Sequence, residues 1–188
     1  MRVLIAVGSN VSGAWGSPVK TLETTFSILA QNGMLVKVVS SLYRTPPIGG
    51  LHQDHFINAA AEIEVRKSVG EVLRLFKRME RAAGRRLGRR WGPRPLDIDI
   101  LAASAMTAHG GRGRRRAGQL ILPHPELHRR AFVLLPLAEI APHWQHPTLG
   151  RGVRALLWQP AVRRQLAGIT RLSSVASGAE APVRTSQA

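Results

Sequence analysis

An unbroken apolar run from Val3 to Val7 stops at Gly8-Ser9-Asn10, which predicts a strand over residues 2–7 ending in a turn. Ser17-Pro18 then supplies an N-cap and a proline at the first helical position, and Asn32-Gly33 closes that helix. Met34 to Tyr43 is rich in valine and reads as a second strand. Arg44 to His55 carries prolines and a Gly-Gly pair and reads as a long loop, before a third strand over 56–65. Ser68 and Glu71 form a capping box for a helix over 69–83, with Val72, Leu73, Phe76 and Met79 along one face. An arginine-rich loop from Gly84 to Pro95 leads to a fourth strand over 96–102.

Strand, helix, strand, strand, helix, strand is the split βαβ order. It predicts an α+β fold with a ferredoxin-like βαββαβ core, a mostly antiparallel sheet and helices packed on its faces. Beyond it, Leu120 to Pro123 is a short extended piece. Phe132 to Ile140 and Val153 to Trp158 read as short helices, the second continuing unevenly to 167. From Ser173 onward Ser, Ala, Gly and Pro follow without pattern. One domain over 1–168 and a flexible tail over 169–188 are expected.

Composition narrows the class. The chain has 188 residues, 44% of them hydrophobic, enough for a real core. There is no cysteine, which removes disulfides and thiolate chemistry. No apolar run has the length of a membrane span and no signal peptide is visible, so the cytoplasm is the expected location, with no membrane partner. The net charge of +16 draws anions, whether nucleic acid, acidic lipid or phosphorylated small molecules. Charge alone does not choose among them, because many arginines merely solvate a surface.

The candidate chemistry sits in the middle of the chain. From Arg81 through Pro125 the only acidic residues are Asp97 and Asp99, among ten arginines. On a strand, positions i and i+2 share a face, with their backbones roughly 7 Å apart. Two carboxylates so placed can hold magnesium, and a paired metal site can clamp both oxygens of a phosphoryl displacement. They can equally be salt-bridging their arginine neighbours. The preceding loop supplies Arg85, Arg86, Arg89, Arg90 and Arg94, guanidinium groups able to spread charge on a transferring phosphoryl group, and Gly84, Gly88 and Gly92 would let it close over a substrate. Neither of the usual glycine-rich phosphate cradles is present. The residues alone reach an anion and magnesium site suited to phosphoryl transfer.

Four segments go further. Val7-Gly8-Ser9-Asn10 is one; Ser41-Leu42-Tyr43-Arg44-Thr45-Pro46-Pro47 with Phe56-Ile57-Asn58-Ala59-Ala60 is the next. Arg90-Trp91-Gly92-Pro93-Arg94 running into Leu96-Asp97-Ile98-Asp99, and Leu122-Pro123-His124-Pro125 with Arg130-Ala131-Phe132, complete the set. In this order they resemble the 6-hydroxymethyl-7,8-dihydropterin pyrophosphokinase family. The resemblance implies transfer of pyrophosphate from ATP to the pterin hydroxymethyl group, with release of AMP, in folate synthesis. It implies two magnesium ions on Asp97 and Asp99, and catalytic roles for these residues with Arg85 and Arg94. ATP would meet Glu80, Arg85, Arg94, Ile100, His124 and Arg130. The pterin would lie between Phe56 and Phe132, edged by Thr45, Pro46 and Ile48, hydrogen-bonded by Asn58 and near Trp91.

The chain departs from the family in places. The 84–91 loop is a residue shorter than in well-known members, which leaves open whether Arg86 or Arg89 is a second mobile arginine. Phe56 stands where tyrosine is common, Ile121 replaces a polar nucleotide contact of some members, and Met106 to Gly118 is long and strongly basic. The segment from Val11 to Ser17 also differs. None of these removes a metal ligand. Two other readings remain: a basic nucleic-acid-binding domain, disfavoured by an aromatic content of 5%, and a catalytically inactive relative, disfavoured by the joint presence of Asp97, Asp99, Arg94 and His124. A monomer without a nucleic-acid partner is expected.

Overall fold

The computed structural model describes residues 1–48, 53–86, 92–104 and 120–174. Strand β1 (Arg2–Ser9) is followed by helix α1 (Pro18–Gln31), strands β2 (Leu35–Val39), β3 (Ser41–Thr45) and β4 (Phe56–Glu64), helix α2 (Val69–Ala82) and strand β5 (Asp97–Ala103). The caps act as their sequence suggests: Ser17 Oγ accepts from Lys20 N at 3.3 Å, and Ser68 and Glu71 close a reciprocal box. The expected second strand is two. Ser40 Oγ takes the ladder amide of Ala60 at 3.0 Å, which interrupts regular pairing between β2 and β3.

The main sheet runs β5-β1-β4-β3, with β2 also on β4, and every pairing is antiparallel. This is the predicted split order, lengthened at one edge. That edge is β8 (Thr170–Ser174), which pairs with β3. The expected flexible tail from 169 is therefore corrected for residues 170–174. Five residues with no alternation carry no strand signal of their own; Arg171 holds them, donating to Ser41 Oγ at 2.9 Å and to Glu139 at 3.2 Å. Between β5 and β8 come helix α3 (Ala131–Ile140), the small hairpin β6 (Gln145–His146) and β7 (Arg151–Gly152), and helices α4 (Val153–Leu157) and α5 (Pro160–Arg163).

One sheet face, through Val3, Ile5, Val7, Ala59, Ile63, Ile98 and Ile100, packs on Leu22, Phe26 and Leu29 of α1 and Val72, Phe76 and Met79 of α2. The other face is only partly covered. There Leu4 and Leu101 meet Leu134 and Leu137 of α3 and Leu156 of α4. The rest of that face, toward the ends of β1 and β5, is a cleft. Among the described residues no helix is long and apolar enough to cross a membrane. The arginine-rich stretch over 106–118 lies outside the described residues.

Candidate active site

Strand alternation places the cleft floor. Ala6 and Gly8 of β1, Phe56 and Asn58 of β4, and Asp97 and Asp99 of β5 all line one cavity of about 460 Å³. Gly8 and Asn58 are paired across the ladder. A Cβ at Gly8 would stand 2.6 Å from Asn58 Oδ1, so only glycine leaves that carboxamide where it is. Asn58 Nδ2 donates to Thr45 Oγ1 at 2.8 Å, which fixes the amide; Thr45 itself is buried.

Asp97 is held between two arginines. Arg85 Nη1 reaches its Oδ1 at 2.6 Å and Arg94 Nη1 its Oδ2 at 2.5 Å. The same Arg85 nitrogen lies 2.8 Å from Glu80 Oε1. Glu80 is buried on α2 and also accepts from Lys77 Nζ and from the Ile98 backbone N–H at 3.0 Å. Glu80 is thus a carboxylate bridge from α2 to β5 that carries Arg85. Ile100 points its side chain into the helix-covered core.

Asp99 has a different setting. Its one ionic contact among the described residues is His124 Nε2, at 4.0 Å. Burial, then the neighbouring Asp97 charge, pushes its carboxyl pKa up. Burial likewise lowers His124. His124 Nδ1 accepts from the Glu126 backbone N–H at 3.2 Å, so the neutral ring carries its proton on Nε2, toward Asp99. A backbone bond of 2.8 Å from His124 N to Leu101 O pins this loop to β5.

The far wall comes from the segment entering α3. Arg130 and Phe132 line the cleft, with the guanidinium carbon 5.7 Å from the ring centroid. Pro46 and Ile48 line the cleft as well, with Phe56. Of the residues singled out in the sequence, the structure therefore brings Pro46, Ile48, Phe56, Asn58, Arg94, Asp97, Asp99, His124, Arg130 and Phe132 into one cleft. Thr45, Glu80 and Arg85 stand behind it as partners of those groups, and Ile100 faces away. Trp91 and Arg89 lie outside the described residues, while Arg86 is exposed.

Some site residues had no role in the sequence reading. Asn10 ties three segments: its Oδ1 accepts from Arg94 N at 2.7 Å, and its Nδ2 donates to Gln53 Oε1 at 3.1 Å and Asp54 O at 3.2 Å. It lay inside a recognised motif, but only the structure shows the three loops meeting. Gln53, Glu126, Arg129 and Gln165 also line the cleft. Gln165 had no sequence signal at all.

Two carboxylates with oxygen donors only, one of them short of partners and with its pKa raised by burial and then by its neighbour, form a donor set that a hard divalent cation would relieve. A cleft of this size with two phenyl walls and one fixed amide suits a flat heteroaromatic. The sequence pattern of the family described as 7,8-dihydro-6-hydroxymethylpterin-pyrophosphokinase (HPPK) matches residues 4–142. The 2-amino-4-hydroxy-6-hydroxymethyldihydropteridine pyrophosphokinase of Methylorubrum extorquens is 39% identical over 141 residues, covering 75% of this chain and 83% of that one. The enzyme of the same name from Bacillus subtilis is 39% identical over 137 residues, 72% of this chain and 75% of its own. Among solved structures, an HPPK-DHPS of Plasmodium falciparum superposes with a TM-score of 0.65 at 14% identity, a likeness of fold. It covers 90% of this chain, which spans only 46% of that longer one. By its motifs, its sheet and its relatives, the chain belongs to the 6-hydroxymethyl-7,8-dihydropterin pyrophosphokinase family.

Proposed function

We propose that this cleft performs the family's reaction with the residues described above in specific roles. The pterin hydroxymethyl oxygen attacks the β-phosphorus of ATP, the bond from that phosphorus to the α-phosphate oxygen breaks, and AMP leaves with the bridging oxygen. The pterin lies between Phe56 and Phe132, and Asn58, fixed by Thr45, reads its polar edge. Pro46 and Ile48 close the apolar side. Arg130 and the Nε2–H of His124 meet the nucleotide.

Asp97 and Asp99 would hold two magnesium ions, which when bound neutralise triphosphate oxygens and orient the attacking hydroxyl. When the triphosphate enters, Arg85 and Arg94 exchange the Asp97 carboxylate for phosphate oxygens and spread the charge of the transferring group. Glu80 keeps Arg85 within reach during that exchange. The salt-bridge and metal readings of Asp97 then describe two states of one side chain.

The observation that carries this reading is the pairing of Asp97 and Asp99 on the cleft floor with two guanidinium groups already on Asp97. A single-domain monomer in the cytoplasm, without a nucleic-acid partner, completes the proposal. Incubation with ATP and 6-hydroxymethyl-7,8-dihydropterin, with and without magnesium, tests it. AMP forming only when both pterin and magnesium are present is the expected result. No AMP from folded protein would leave an inactive relative.

A further inference from the structure

The family pattern ends at residue 142, yet a residue far beyond it reaches the cleft. Gln165 follows α5 and straddles Arg130. Its Oε1 accepts from the Ala131 N–H at 3.1 Å, and its Nε2 donates to the Arg129 carbonyl at 2.9 Å. The same Nε2 donates to Ala161 O at 3.2 Å, which anchors the amide to α5.

This grip replaces something the sequence lacks. Helix α3 begins after Arg130, whose side chain makes no capping bond. The first N–H of α3, that of Ala131, would otherwise be an orphan donor. Gln165 satisfies it from outside and clamps the preceding carbonyl in the same step. Arg130 and Phe132, on either side of Ala131, and Arg129 before them are cleft residues whose direction depends on that backbone.

The segment carrying Gln165 is itself tied to Pro46 and β3. Gly168 turns with φ +84°, and a Cβ there would be 3.7 Å from Pro46 Cγ. Thr170 pairs with Arg44, and Arg171 bonds Ser41 and Glu139. Residues 165–171 therefore run from the 129–131 segment to Pro46 and to β3, which bears Thr45.

We propose that Gln165 is a positioning residue of the active site, holding the 129–131 backbone so that Arg130 meets the nucleotide and Phe132 the pterin. This rests on the roles proposed above for those two side chains. The test compares Gln165→Ala with Arg171→Ala, which loosens the same segment without touching residues 129–131. Binding of an α,β-methylene ATP analogue and of the pterin is measured by calorimetry, alongside Tm and steady-state AMP formation. Gln165→Ala should weaken nucleotide or pterin binding about fivefold to tenfold and raise the matching KM, with kcat changed less than about twofold. Arg171→Ala should lower Tm and leave both affinities near wild type. Affinities of folded Gln165→Ala equal to wild type, or the same pattern in both variants, would overturn the proposal. Absence of AMP formation by the wild-type protein would sink the catalytic reading instead, and the binding comparison would still decide the role of Gln165.

Discussion

The two faces of the central sheet are built from the same strands on opposite terms. Along β1, Val3, Ile5 and Val7 point to the helix-covered side and are almost fully buried, while Ala6 and Gly8 point to the cleft. Along β5, Ile98 and Ile100 face the helices and Asp97 and Asp99 face the cleft. One face is filled with branched aliphatic volume, each side chain contributing about 1.5–3 kcal/mol on burial. The other is hollowed by small residues and carries polar groups that burial disfavours. Helix packing on the first face stabilises the sheet and so supports the unfavourable charges on the second.

Breaking the cleft face at its charges should have the largest effect. Asp97→Ala or Asp99→Ala should lower AMP formation by on the order of 10³-fold while circular dichroism and Tm stay near wild type. Full turnover in either variant would sink the two-magnesium assignment. Breaking the helix-covered face should do the opposite. Phe76, fully buried against the sheet, should cost about 3–5 kcal/mol of stability as Phe76→Ala, with turnover per folded molecule preserved. A denaturant titration with a parallel activity assay separates the two outcomes, and a loss of turnover in the still-folded fraction would contradict the division of labour.

A finer test sits between them. Gly8→Ala places a methyl against Asn58 Oδ1 and must shift that carboxamide. Pterin affinity should fall about tenfold, with a stability change under about 1 kcal/mol. Unchanged pterin affinity would mean that Asn58 does not read the ring.

The smallest expected effect lies away from the cleft lining, where Glu139 joins α3 to β3. Burial works to raise its pKa, but bonds from Tyr43 OH at 2.8 Å and from Ser41, with Arg171 nearby, hold it below the ordinary 4.5. Burial, then the Glu139 partner, raises the Tyr43 phenol to about 12. Because the folded value of Glu139 is depressed, its stabilising contribution is full above the unfolded value and fades as pH falls through the folded one. The Tm difference between wild type and Glu139→Gln should therefore shrink on acidification from about pH 6 to about pH 3. A constant difference would show that the bonds do not depend on charge.

What could be read from the sequence follows the range of the interactions. Helices α1 and α2 announce themselves because their caps and apolar stripes act within a few residues. Asp97 and Asp99 were legible as a pair because strand period alone puts them on one face. The division at Ser40 was not, since a hydroxyl must find the amide of Ala60 across the sheet. Strand β8 was not, because its pairing partner lies more than a hundred residues upstream. Arg85 entered as one of several loop arginines and Glu80 only through the family resemblance, because their placement behind Asp97 depends on where α2 docks on β5. Gln165 is the extreme case: an isolated amide gains a role only when the chain returns to the start of α3.

Strand β2 has a consequence for how copies of the molecule meet. Among the described residues it pairs with β4 alone, and it leaves Leu35 and Val38 exposed at 56% and 39%. An apolar strand in that position is a template for intermolecular pairing and precipitation. The chain counters it with a register irregularity between Val36 and Val38 and with exposed Lys37 beside it. The net charge of +16 adds mutual repulsion between like molecules. That protection is electrostatic and fades as added salt shortens the Debye length. The expected consequence is a solubility that falls as ionic strength rises, with concentrated salt the condition under which this strand would begin to behave as an adhesive.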